Sequence, residues 1–380
     1  MTSRPHRYFA ACSLGLEELL ITELRDLGAG AIKAQRGGVD FEGDLRVGYA
    51  ACLWSRVAIR VQEELAARND IRTDRDLYQF VRTVNWSSIV KPTQTMAVNA
   101  SIRDAAHTNS MFVAQRVKDA VCDWWRDRED RRPSVDRTRP DVPLKVVWRG
   151  REAILYRDLV GPSLHKRGYR PAQVRSPLNE ALAAGILRLT GWDPNTALLD
   201  PMCGSGTFLI EAAHIAMDRA PGLERGFPFT RWPDFDTGAW NQLVTDARAR
   251  VRPDIRCSLQ GSDRHRGALA IAKKSAAAAG VEGKIIFTHR EIQSLRPRVP
   301  PRTVVVNPPY GQRLGEGQDL IDAWKGLGDL LRTGCRGATA WVLSGDPEIT
   351  RHLGLKSTER IPLMNGPIDC RLLRYDMRDA

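Results

Sequence analysis

Between residues 197 and 344, apolar runs short enough to be strands alternate with longer stretches of helical period. They fall at 197–200, 206–219, 257–263, 266–279, 284–288, 303–307, 320–331 and 338–344. A strand followed by a helix, repeated, buries both faces of its sheet by covering them with those helices, which makes the sheet mostly parallel. The pattern predicts a doubly wound, Rossmann-like α/β domain over residues 161–380. The tail, 359–363 and 370–377 around Asn365-Gly366-Pro367, reads as an antiparallel pair at the sheet edge.

The chain before that domain is also α/β, but on a smaller scale. Residues 1–48 combine a strand near 6–12, a helix near 15–27 with Leu16, Leu19, Leu20 and Leu24 along one stripe, and strands near 31–35 and 38–42. A helix from about 45 to 54 leads into a second zone, residues 49–160. It holds strand patterns near 58–64, 95–102 and 154–159 and helical patterns near 77–84 and 109–126. The run 126–139 has six arginines against four acids and reads as a solvated loop. The stretch 221–240, rich in aromatics, Gly and Pro, reads as a long functional loop.

A chain of 380 residues is long enough for two or three such domains. Its net charge of +12 points to polyanionic partners, because cations that displace counterions from phosphates gain affinity. No run of about 18 apolar residues is present, so no membrane span is expected. The polar, basic N-terminus is unlike a secretory signal. The seven cysteines are scattered, with no C-x-x-C pair, so neither a zinc site nor a disulfide framework is expected, and a cytoplasmic location fits.

Chemistry concentrates at the predicted strand ends. Leu198-Leu199-Asp200-Pro201-Met202-Cys203-Gly204-Ser205-Gly206-Thr207 is a strand, a glycine turn and a helix start. Gly204 and Gly206 let backbone approach a ligand, and free amides at the helix start favour an anionic group. Asp200, Pro201, Cys203, Gly204, Ser205, Gly206 and Thr207 are therefore the expected cofactor loop. Asp263, ending the next strand, is placed to accept from two ribose hydroxyls. Glu291, after the following strand, can accept from an adenine amine. Asn307-Pro308-Pro309-Tyr310 follows the apolar strand 304–306. There the Asn307 oxygen and the Pro308 carbonyl can accept both hydrogens of an exocyclic amine, and Tyr310 offers a face for stacking the target base. Lys166, Arg167 and Arg170, in Leu164-His165-Lys166-Arg167-Gly168-Tyr169-Arg170, are candidate phosphate contacts.

The glycine loop and Asn307-Pro308-Pro309-Tyr310 resemble motifs I and IV of class I amino-methyltransferases. The whole chain resembles the THUMP-domain RNA methyltransferases. Further points of likeness are Gly37-Gly38-Val39, Leu53-Trp54-Ser55-Arg56, Val117-Lys118-Asp119-Ala120 and Asp218-Arg219-Ala220-Pro221-Gly222. Within that family it is most similar to the guanine-N2 methyltransferases of 23S ribosomal RNA. The resemblance implies an N-terminal ferredoxin-like unit, a THUMP domain over 49–160 and a class I methyltransferase domain over 161–380. It implies S-adenosylmethionine as cofactor, with Asn307 touching it as well, and large-subunit ribosomal RNA as substrate, with no metal. A THUMP-containing tRNA guanine-N2 methyltransferase is the alternative. The family's third motif usually has Asp where this chain has Glu291.

Overall fold

The computed structural model describes residues 5–170, 178–309 and 318–378. The chain divides into two units that interleave along the sequence. Met1–Ala11, Ile21–Leu164 and Glu224–Thr245 form the first; Cys12–Leu20, His165–Leu223 and Asp246–Ala380 form the second. No helix among the described residues is long and apolar enough to cross a membrane.

The first unit is built on one eight-stranded sheet. Its strands are β1 (His6–Ala11), β2 (Gly30–Gln35), β3 (Gly38–Gly43), β4 (Arg60–Arg68), β5 (Thr95–Arg103), β6 (Ser134–Val135), β7 (Val142–Arg149) and β8 (Glu152–Asp158), in the order β2-β3-β1-β4-β8-β7-β5-β6. β4 pairs with β1 on one side and β8 on the other, which makes the sheet continuous. Helices α1 (Glu17–Asp26, in this unit from Ile21), α2 (Leu45–Trp54), α3 (Asp74–Arg82) and α4 (Ser110–Glu129) accompany it, and the last three start where side chains satisfy their free amides. Asp44 accepts from the Val47 amide, and Thr73 with Asp76 makes a reciprocal capping box. Asn109 accepts from the amides of Met111 and Phe112. β7 is absent from the elements expected above, although Val142, Leu144, Val146 and Trp148 alternate into the core. The basic run 126–139 is not loop throughout, because α4 continues to Glu129 and Ser134–Val135 pair beside β5.

The segment 224–245 belongs to this first unit and supplies part of its core. Phe229 is fully buried and stacks on Tyr49 at 4.5 Å, and Trp240 meets the same two rings edge-on. The Trp232 indole donates to the Asp141 carbonyl at 2.9 Å, and Arg231 pairs with the Asp141 carboxylate at 2.7 Å. Arg157, on β8, holds Asp234 with one guanidinium nitrogen at 2.9 Å and Glu63 of β4 with another. Its guanidinium also lies 4.2 Å from the Trp232 ring centre. The long loop expected over 221–240 is thus largely packing material.

The second unit holds β9 (Leu198–Asp200), β10 (Leu259–Asp263), β11 (Ile285–His289), β12 (Thr303–Val306), β13 (Thr339–Ser344), β14 (Glu359–Asn365) and β15 (Ile368–Asp376). Their order is β11-β10-β9-β12-β13-β15-β14. β9 to β13 are mutually parallel, and β15 and β14 add the expected antiparallel edge. The helices are α5 (Glu180–Leu189), α6 (Thr207–Ala216), α7 (Thr237–Arg250, entering this unit at Asp246), α8 (Arg266–Ala278) and α9 (Gln318–Gly334). One core cluster joins Leu199, Val304, Val306 and Val342 of the sheet to Trp324, Leu327 and Leu331 of α9. This is the expected doubly wound sheet. Its order reverses between β9 and β12, which opens a crevice at the carboxyl ends of those strands.

Phe229→Ala should destabilise the full chain by about 3–5 kcal/mol, the usual loss for a buried Phe, read as a fall in melting temperature. A fragment starting at His165 should be recovered as aggregate, since it carries Phe227, Phe229 and Trp232 without their partners and lacks residues 12–20. A monodisperse fragment with a sharp melting transition would contradict the interleaved packing.

Candidate active site

Four neighbouring parallel strands deliver the expected residues to one edge of the second unit's sheet. Asp200 ends β9, Asp263 ends β10, Glu291 follows β11 by two residues, and Asn307 follows β12 by one. Neighbouring strands lie about 4.8 Å apart, so the whole set spans three spacings, roughly 14 Å.

The turn after β9 explains its glycines. Gly204 and Gly206 have φ of +51° and +78°, in the left-handed region that side chains disfavour. A Cβ on Gly206 would also lie 3.2 Å from the Ala272 Cβ and 3.3 Å from the Phe287 ring. Gly206 is the N-cap of α6 and provides no capping side chain, so the first-turn amides remain available for an anionic group. Asp263 fixes the turn from the neighbouring strand. One of its oxygens accepts from the Gly204 amide at 3.0 Å and the other from the His265 amide at 2.8 Å.

Asp200 is almost fully buried and accepts one hydrogen bond, from the Met202 amide at 3.2 Å. Burial pushes its carboxyl well above the usual range, and the nearby Asp263 charge adds to this. A cationic ligand group is what such a carboxyl lacks. The buried Cys203 thiol is likewise pushed up, chiefly by burial and then by Asp200 and Asp263, so it is a packing group and not a thiolate nucleophile.

Beyond β12 the chain leaves the sheet through Asn307, Pro308 and Pro309. The Asn307 Oδ1 atom is buried, with no hydrogen-bond partner among the described residues. A buried, unmatched amide oxygen costs about 1–3 kcal/mol and is a ready acceptor for a ligand N–H. The loop is pinned by Trp324 of α9, whose indole donates to the Pro309 carbonyl at 2.9 Å. Trp324 gave no signal in sequence beyond its place in the α9 stripe. Gly261 is a second silent contributor: a Cβ there would lie 2.5 Å from Leu209 Cδ1 and 3.1 Å from Cys203 Sγ. Tyr310 lies outside the described residues.

Glu291 is exposed and caps nothing with its side chain. The basic segment 164–170 behaves differently from the expectation of phosphate contacts. Lys166 is exposed, but the Arg167 side chain is buried, 3.8 Å from the buried carboxylate of Glu211. Tyr169 donates to that same carboxylate at 3.0 Å. Arg170 is turned inward, donating at 2.8 Å to both the Thr207 hydroxyl and the Leu178 carbonyl, with Glu180 at 3.6 Å. Two of the three basic residues therefore brace α6, the helix that follows the glycine turn, because buried carboxylates on α5 and α6 demand cationic partners.

Known proteins resemble this chain throughout its length. Family models described as RlmL ferredoxin-like domain, THUMP domain, and RMKL-like, methyltransferase domain match residues 7–62, 72–158 and 167–374. A Synechocystis protein named provisionally as an RNA methyltransferase is 38% identical over 99% of this chain and 97% of its own length. A ribosomal RNA large subunit methyltransferase K/L from Syntrophotalea carbinolica is 41% identical over 99% of this chain, which spans 54% of that longer protein. A crystal structure of a protein named provisionally as a methyltransferase, in complex with SAH, covers the whole of both chains with a TM-score of 0.90 at 26% identity.

Arg170→Ala should lower thermal stability by about 1–3 kcal/mol, the cost of leaving buried acceptors unmatched, and Gly206→Ala by about 1–2 kcal/mol, the penalty of a left-handed L-residue. Differential scanning calorimetry on the full chain checks both. An unchanged transition for Arg170→Ala would remove the brace assigned to it.

Proposed function

This chain belongs to the RMKL-like methyltransferase family, with an RlmL ferredoxin-like domain and a THUMP domain ahead of the methyltransferase domain, and from that we propose that it is an S-adenosylmethionine-dependent RNA methyltransferase acting on the N2 amine of a guanine in large-subunit ribosomal RNA. The carrying observation is the buried Oδ1 of Asn307, which has no hydrogen-bond partner among the described residues, at the crevice of a methyltransferase sheet. The relatives named as large-subunit K/L enzymes support ribosomal RNA as substrate, and so does the +12 charge. In this reading residues 1–48 and 49–160 present the RNA, residues 161–380 do the chemistry, and the protein works in the cytoplasm.

The residues present fit the cofactor. Asp200 would offer a buried carboxyl to its ammonium group, and the uncapped α6 amides would receive its carboxylate. Asp263 would hold its ribose and Glu291 its adenine, with Pro201 to Thr207 completing the turn around it. Bound there, S-adenosylmethionine supplies a methyl group on a cationic sulfur, and the protein's task is alignment. The guanine amine is a weak nucleophile because its lone pair is delocalised into the ring. Asn307 Oδ1 and the Pro308 carbonyl accept its two hydrogens and turn the lone pair outward. The nitrogen sheds one of those protons once it carries the methyl group, so no strong base is required. Pro309, tied to Trp324, keeps the loop rigid, and Tyr310 is assigned to stack the flipped base.

Asn307→Ala should cut turnover by roughly 10²-fold or more, the scale of losing one placed polar group in an active site, while leaving cofactor affinity nearly intact. Asp263→Ala should do the converse, weakening cofactor binding by about 1–3 kcal/mol. Tritium transfer to ribosomal RNA and to tRNA from cells lacking the gene, followed by nucleoside mass spectrometry, tests the substrate. Labelled N2-methylguanosine in large-subunit RNA is expected. Label in tRNA alone, or in methyladenosine, would replace this reading.

A further inference from the structure

The second unit carries a group of exposed cations that the reaction above does not use. Arg264 and Arg266 flank His265 at the start of α8, Lys273 lies seven residues on from Arg266, and His289 and Arg290 close β11. Seven residues are two helical turns, so Arg266 and Lys273 share a face. With Leu269, Ala270 and His289 they line a cavity of about 290 Å³. His289 is held in place by a 2.9 Å hydrogen bond between its Nε2 and the Arg264 carbonyl.

Among the described residues, no carboxylate lies within ion-pair distance of Arg264, Arg266, Lys273 or Arg290. The neighbouring acids are Asp263, which accepts from the Gly204 and His265 amides and is assigned to the cofactor, and the exposed Glu291. α8 has no acid in its first turn and no side-chain cap. Positive charge at the positive end of a helix opposes stability, and an external anion would offset it. Asp263 and His289 are paired in register, so the Arg266 end of the patch shares the sheet edge with Asn307, roughly three strand spacings or 14 Å across.

We propose that this surface binds backbone phosphates of RNA flanking the target nucleotide, giving the catalytic unit a grip of its own on the substrate. The proposal rests on the reading of RNA as substrate. Arg266 and Lys273 stand two helical turns, about 10 Å, apart on one face of α8, so each can neutralise a phosphate of its own along the RNA backbone.

The test uses the full chain and the double variant Arg266→Gln/Lys273→Gln, with unmodified, in vitro-transcribed large-subunit ribosomal RNA as probe. Affinity is measured over a series of salt concentrations, alongside calorimetry with S-adenosylhomocysteine. Each lost phosphate contact reduces the slope of log affinity against log salt by about 0.7–0.9, so the double variant should lose about 1.4–1.8 in slope and bind about 10-fold or more weakly at low salt. S-adenosylhomocysteine binding and melting temperature should stay as in the parent. Arg266→Lys/Lys273→Arg should keep the slope, because charge and not shape is what the phosphates read. Unchanged affinity and slope would overturn the proposal, and so would an equal loss of cofactor-product binding, which would hand the cations to the cofactor. If the parent binds RNA with the expected slope but transfers no methyl group, the patch stands and the functional reading falls.

Discussion

Parallel pairing fixes direction. β11, β10, β9 and β12 run the same way, so the residues that end them, Asp263, Asp200 and Asn307 with Glu291 just beyond, arrive at one edge of the sheet together. The central strands β9 and β12 are apolar almost throughout, with Val304, Val305 and Val306 fully buried. The buried Gln260 inside β10 is matched by the amides of Arg298 and Val299 and by the Val299 carbonyl, so the polar groups left for a ligand stand where the strands stop. The core and the site are therefore one constraint seen from two sides: burial drives the pairing, and the pairing collects the polar ends.

That edge holds polar groups that the fold leaves wanting. Asp200 is buried with one amide for company, and Asn307 Oδ1 is buried with no partner among the described residues. An unmatched buried acceptor is costly in low dielectric, so these positions depend on the rest of the unit for their stability. Trp324 of α9 and the Arg170–Thr207 contact hold the two sides of the crevice. A ligand with a cation for Asp200 and an N–H for Asn307 recovers what folding gives up.

The turn chemistry of the site was legible in the sequence because it is local. Glycines at Gly204 and Gly206 and the prolines at Pro308 and Pro309 act on their own backbone, whatever packs around them. Partners distant in sequence were not legible. Nothing local shows that Arg170 reaches Thr207, that Gly261 must admit Leu209, or that Phe229 stacks on Tyr49. The helix Glu180–Leu189 escaped notice for a related reason: it is buried on almost every face, so it lacks the polar side that makes a helix readable. Composition was also a poor guide to the role of cations. Arg167 and Arg170 sit in a basic run that suggests solvent, yet they serve buried carboxylates.

The interleaving of the two units has a consequence for how the chain is made. The first unit's sheet is complete once Asp158 has been synthesised, but its core is not, because Phe229 and Trp240 are still to come. Roughly 80 residues separate Leu164 from Thr245. At synthesis rates of about 5–20 residues per second, the ribosome needs roughly 4–16 seconds to deliver them. Until Phe229 and Asp234 are made, within that interval, Tyr49 lacks the ring it stacks on and Arg157 lacks its carboxylate partner, while residues 12–20, among the first made, await the later segments of the second unit. Each half is held open for the other, so the nascent protein passes through a stage of exposed aromatic surface whose length is set by translation and not by folding.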